Sequence, residues 1–233
     1  MAISGSVAFI YDHFFVNKNL KLYSTGSFSS ASWDRFRPAF SRINVIARER
    51  RGFDGRLVDA SSRDVFFFPL HGQSFFSIFG IYLIRNVFVI VKVIRASEHV
   101  VLRVPSFISL LAYFLCVLLR RNYSVEVVGN AAEAISGKRG RYFSYVFDVM
   151  TRRIVNGAVS ALYVTSNYLQ KIYSFNGFQG VASNVSINFS ENALELRARQ
   201  LSSIVSGAEV ELRVGLVGSL DAGYKGIDDA IRA

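Results

Sequence analysis

Short apolar runs, separated by stretches long enough for a helix, recur along this chain. SVAFIY (Ser6–Tyr11), Ile43–Ala47, DVFFFPL (Asp64–Leu70), HVVLR (His99–Arg103), SVEVV (Ser124–Val128) and ALYVT (Ala161–Thr165) each predict a strand. Their near-continuous apolarity is that of strands covered on both faces. Helices are predicted from Ser32 to Phe40, from Gly80 to Ala96, from a Ser106 cap to near Arg120, and from Tyr142 to Asn156. A shorter one, capped by Ser166 or Asn167, runs to Tyr173, and Val181–Ile187 reads as extended. Alternation of this kind predicts an α/β fold, a doubly wound, Rossmann-like parallel sheet whose ligands gather at the C-terminal ends of the strands.

The texture changes near the end. Residues 188–210 are polar with a helical patch and read as a connector, and GLVGSLDAGYKGIDDAIRA (Gly215–Ala233) reads as strand, glycine-rich turn and helix. The expected organisation is one Rossmann-like domain over residues 1–187, a connector over 188–210, and the first βα unit of a second domain over 211–233. A turn of that kind aims backbone N–H groups and a positive helix end at one point, which suits a diphosphate. Gly218, Ser219, Lys225 and Gly226 are the residues placed there. Most of the second domain would lie beyond Ala233, so no sugar transfer is expected from these residues alone.

Composition narrows the partners. The 233 residues are 51% hydrophobic with a formal charge of +10, and the basic excess is uneven. Residues 1–160 hold 21 basic against 10 acidic side chains, and residues 161–233 hold 6 against 7. The first domain therefore attracts anions, whether lipid head groups or phosphorylated substrates. Nucleic acid is not expected, since no recognition helix or zinc-ligand spacing is present. Cys116 is the single cysteine, set in an apolar run, so no internal disulfide forms and a core role is expected. The N-terminus has no positive segment before its apolar stretch, which predicts no export signal and a cytoplasmic location. Phe75–Ile94 is interrupted by Arg85 and Lys92, and Val104–Leu119 is shorter than the ~20 residues of a membrane span. Both read as buried helices.

Several segments carry a family resemblance. VGLVGSLDAGYKGIDDAIRA resembles the start of the C-terminal domain of GT-B glycosyltransferases of family 4, with its Gly-x-Leu turn at Gly218 and Leu220, its Lys-Gly pair at Lys225 and Gly226, and the helix-ending Ala233. YVTSNYLQKIYSFNGFQGVASNVSI, LYSTGSFSSASWDRF, VLRVPSFISL and YSVEVVGNAAEA resemble passages of members that build bacterial polysaccharides. The resemblance implies a retaining transferase that takes a nucleotide-diphosphate sugar as donor, without a metal or other cofactor, and a lipid-linked or glycan acceptor. Lys225 matches the lysine that faces the departing diphosphate. An arginine often follows the turn glycine in that family and is Ser219 here, and the family's paired glutamates would lie past Ala233.

The remaining candidates fall on the acceptor or phosphate side: His13 after the first strand, Tyr23 and Gly26 in YSTG, Arg103 at a strand end before Pro105, and Gly129 and Asn130 where other members carry a histidine. The spacing of His13, His71 and His99 does not suit a metal. Lys138, Arg139 and Arg141 form a basic cluster suited to an anionic membrane at the inner face of the plasma membrane. A different reading stays open, in which the chain is a non-catalytic basic module that binds anionic lipid or a partner subunit.

Overall fold

The computed structural model describes residues 5–19, 21–26, 28–52, 55–72, 74–183, 190–205 and 231, excluding the side chains of 136–139 and 203–204. The chain divides into two compact units, Met1–Ala182 and Ser183–Ala233. In the second, the described structure is chiefly the helix Glu191–Val205, which occupies the predicted polar connector.

The first unit is a mixed sheet of nine strands among the described residues: β1 (Ser6–Lys18), β2 (Lys21–Ser24), β3 (Arg42–Glu49), β4 (Val58–Asp59), β5 (Val65–Leu70), β6 (His99–Val104), β7 (Ser124–Val127), β8 (Ser160–Tyr163) and β9 (Phe178–Val181). Seven of them run parallel in the spatial order β5, β3, β1, β6, β7, β8, β9. The chain winds outward from β1 in one direction through β3 and β5, then returns to β6 and winds in the other. That is a doubly wound, Rossmann-like fold as the apolar runs predicted, and its switch point lies between β1 and β6.

The crossovers after β5 carry the helices α1 (Leu83–Ala96), α2 (Phe107–Leu118), α3 (Ala131–Arg139), α4 (Arg141–Asn156) and α5 (Tyr168–Ile172). Ile90, Ile94, Ile108, Ala112, Cys116, Phe147 and Ile154 pack them against Ala8, Ile10, Leu102, Val104 and Val127 on one sheet face. Cys116 is buried there, and burial pushes its thiol up to about 12, which keeps it protonated. The opposite face of β1 and β3 is covered by the segment between β1 and β3. Phe9, Phe15, Phe28 and Phe36 surround Trp33, whose Nε1 donates to the Ala60 carbonyl at 2.9 Å.

Three local predictions are corrected. The segment from Ser32 to Phe40 is no α-helix: Ser30–Trp33 forms a 3-10 turn that begins after Ser29, because the buried Trp33 and Phe36 fix the chain into short turns. The first strand continues past Tyr11 to Lys18 and folds back antiparallel on β2, a hairpin hidden by the polar residues of DHFFVNK. The helix predicted from Gly80 starts at Leu83, after a π-helical turn at Ser77–Ile81. The Ser106 cap is present, its hydroxyl accepting from the Ser109 amide at 3.1 Å.

Candidate functional site

The crevice at the switch point is built by what leaves the ends of β1, β3 and β6. β1 pairs with β3 in register from Ser6 to Ile10 and again from Phe14, but only Ala47 faces the three residues Tyr11, Asp12 and His13. This bulge frees those three side chains from an ordinary ladder, as bulges next to functional sites do. Asp12 turns toward the helical face and Tyr11 and His13 toward the other.

On the helical side Asp12 forms an ion pair with Arg48 at 2.5 Å, both side chains being 19% exposed. Burial raises the Asp12 carboxyl and the Arg48 guanidinium opposes that rise. The pair forms part of the wall of a cavity of about 300 Å³ whose remaining lining is Phe75, Ile78, Phe79, Phe107, Ala134 and Ile135. Phe107 sits at the first turn of α2, 5.1 Å between ring centres from Phe75 and 4.4 Å from Phe147. The turn bearing Phe75, Ile78 and Phe79 is held by Asn86, which is wholly buried. Its Nδ2 donates to the carbonyls of His71 at 3.0 Å and Ile78 at 3.1 Å, and its Oδ1 accepts from the His71 amide at 2.8 Å. The result is a small aromatic chamber with one carboxylate and one guanidinium in its wall.

On the other side His13 lies between Tyr11, Phe15 and Phe28. Its Nε2 is 2.8 Å from the Ser24 hydroxyl, and that hydroxyl accepts from the Gly26 amide at 3.0 Å. Burial and the nearby Arg103 and Arg48 lower the His13 pKa to about 4, so the ring is neutral near pH 7. A Cβ at Gly26 would stand 3.0 Å from the His13 ring. His13 and Gly26 therefore meet, as two ends of one hairpin, while Tyr23 pairs with Val16 within that hairpin.

Arg103 points away from the chamber. It is 6% exposed, and its Nη1 lies 3.2 Å from Oε1 of Glu126, its partner on the adjacent β7. Arg35, from the turn after Trp33, donates to both carboxylate oxygens of Glu126 at 2.7 and 3.0 Å. The Arg103 guanidinium is also 4.8 Å from the ring centres of Tyr11 and Phe28. Its charge is thus committed to the protein. Arg35 and Glu126 also border a second cavity, about 250 Å³, on the sheet face over Ser124, Leu162 and Gly180, away from the strand ends.

Gly129 and Asn130 close the rim beyond β7. Asn130 caps α3, its Oδ1 accepting from the Ala132 amide at 3.0 Å and its Nδ2 donating to Glu133 at 3.0 Å. Arg141 is exposed at the start of α4, while the side chains of Lys138 and Arg139 lie outside the described residues, as do Gly218, Ser219, Lys225 and Gly226. Among the described residues there is no cluster of three or more potential metal ligands and no helix long and apolar enough to cross a membrane.

Asp12, Phe75, Phe107 and Asn86 were not singled out in the sequence. The signal for Asp12 was available, since it is the first charge after the first strand of a parallel sheet, where ligands collect.

No known family profile matches the sequence. Protein CapJ of Staphylococcus aureus is 26% identical over 231 residues, a match covering 97% of this chain and 56% of CapJ. The chain thus spans little more than half the length of this relative. Among solved structures, a Listeria monocytogenes protein described as a UDP-N-acetylglucosamine 2-epimerase aligns with a TM-score of 0.42 at 12% identity, over 72% of this chain and 41% of that one.

Proposed function

We propose that the first unit is the acceptor-side domain of a retaining glycosyltransferase of the GT-B kind, using a nucleotide-diphosphate sugar in bacterial polysaccharide or glycolipid synthesis at the inner face of the plasma membrane. The observation that carries this reading is the chamber at the switch point, where Asp12 and Arg48 meet Phe75, Phe79 and Phe107. Aromatic faces suit the apolar face of a sugar ring or a lipid chain, and a desolvated carboxylate accepts from a hydroxyl and fixes its position. Support also comes from the family resemblance of the sequence and from the similarity to CapJ along nearly the whole chain.

The chemistry assigned to this unit is positioning. A hydroxyl held by Asp12, itself oriented by Arg48, would be presented to the reacting carbon of a donor held elsewhere, and misplacement by about 1 Å costs on the order of 10²-fold in rate. Gly218, Lys225 and Gly226 are the residues proposed to face the donor diphosphate, where negative charge develops as the bond to sugar breaks. No metal is assigned to that step.

The test is transfer of radiolabelled sugar from UDP- and GDP-sugars to lipid and glycan extracts of a capsulated bacterium, with the protein carrying all segments present in its gene. Product is expected with the native residues and should fall about 100-fold with Asp12→Asn. Failure of every donor to label any fraction, with folded protein, would turn the assignment toward the non-catalytic basic module. The same Asp12→Asn protein giving native rates would remove the chamber from the mechanism.

A further inference from the structure

We infer that the outer surface of the α1, α2 and α4 layer is a docking surface for an anionic lipid bilayer. It deepens the membrane-side part of the proposed function by naming the surface, and it does not depend on sugar transfer. These three helices bury one side against the same sheet face, through Ile90 and Ile94, Ile108 and Ala112, and Phe147 and Ile154. Their opposite sides should be polar in a protein surrounded by water. Instead Ile84 is 86% exposed, Phe88 69%, Leu118 76% and Tyr142 82%, and Phe114, Val117 and Tyr145 are exposed beside them. The turn that lines the chamber with Phe75 and Phe79 also presents Phe76 and Ile81 outward.

Charge chooses the occupant. Arg85, Lys92 and Arg95 on α1, Arg120 just after α2, and Arg141, Arg152 and Arg153 on α4 are all exposed. Asp148 is the sole acidic residue of these three helices; its side chain is 14% exposed and occupied by Arg152 and by the Tyr173 hydroxyl. A second copy of this chain laid on the same surface would set cations against cations with no carboxylate between them. A layer of anionic head groups over an apolar interior meets both features, the arginines and lysine at head-group level and Ile84, Phe88 and Leu118 below them. No described helix is long enough to span, so the contact is interfacial. A lipid-linked acceptor would then reach the chamber from the bilayer side, along the turn that carries both Phe75 and Phe76.

The experiment is co-sedimentation of the full chain with phosphatidylcholine vesicles, with and without about one-third phosphatidylglycerol. Binding is expected to be at least about tenfold tighter to the anionic vesicles and to fall about tenfold in F88S/L118S and again in K92E/R95E. All four residues are exposed, so circular dichroism and the melting temperature should not move. Loss of binding in K138E/R139E with native binding in F88S/L118S would overturn this surface while leaving peripheral attachment standing. Absence of binding to either vesicle would overturn both. A concentration-dependent dimer abolished by F88S/L118S would assign the surface to a second copy and overturn the lipid assignment.

Discussion

Glu126 and Arg103 stand directly opposite each other on neighbouring parallel strands, 3.2 Å from Oε1 to Nη1, with Glu126 only 2% exposed. Arg35 completes a three-charge group from a turn 91 residues away in sequence. Removing one member of a buried ion pair strands the other, a penalty larger than the net worth of the pair. Glu126→Ala is therefore expected to lower unfolding free energy by about 3 kcal/mol, and Arg103→Met, which leaves Glu126 with its two bonds to Arg35, by about half as much. Urea denaturation of both proteins checks the order; an unchanged midpoint in Glu126→Ala would show that the group contributes nothing.

His13 gives the protein a pH dependence of known sign. Its folded pKa is about 4, against 6.5 for the free side chain. Between those values the unfolded chain binds a proton that the folded one refuses, so stability falls as pH drops from about 6.5 toward 4 and then levels off. The contribution of this residue is at most about 3 kcal/mol. Comparing the native protein with His13→Asn at pH 7 and pH 4.5 isolates it from the carboxylates, and the loss on acidification should be smaller in the variant.

Asn86→Leu preserves size and removes three hydrogen bonds that join the end of β5 to the turn bearing Phe75 and Phe79. The backbone groups of His71 and Ile78 would be left without these partners, at about 2 to 3 kcal/mol. Quenching of a fluorescent probe placed in the chamber should also broaden, because the wall loses its anchor. Native stability in Asn86→Leu would mean that water replaces the amide without loss.

Gly72 precedes the same turn with φ of +94°, and a Cβ there would meet the Ser77 hydroxyl at 2.6 Å and the Ile78 amide nitrogen at 3.0 Å. Gly72→Ala combines a disfavoured backbone angle with a clash against main chain, so about 2 kcal/mol of destabilisation is expected. A melting temperature equal to that of the native protein would count against this packing.

The parallel core was legible because strands covered on both faces are apolar along most of their length, as HVVLR and ALYVT are. The hairpin of β1 and β2 was not, since Asp12, His13 and Asn17 interrupt the run in sequence while Phe15 between them points to the core. The same holds for the site. His13 and Gly26 could be placed at strand and loop ends, but their meeting depends on a fold-back that apolar runs do not encode. Glu126, a lone charge in SVEVV, announced a buried partner without saying that it would be both Arg103 and Arg35.

The arithmetic of the β1 bulge has a consequence for sequence change. Between Ile10 and Phe14 the strand advances four residues while β3 advances two, from Ile46 to Arg48, so the surplus is even. Side chains alternate with period two, and an even surplus returns Phe15 to the side that Phe9 occupies. Shortening this stretch by two residues would keep the sheet and erase the crevice. Shortening it by one would invert everything after it, sending Phe15 and Leu22 out of their core. Parity, more than the identity of any residue there, determines which length changes the domain can survive.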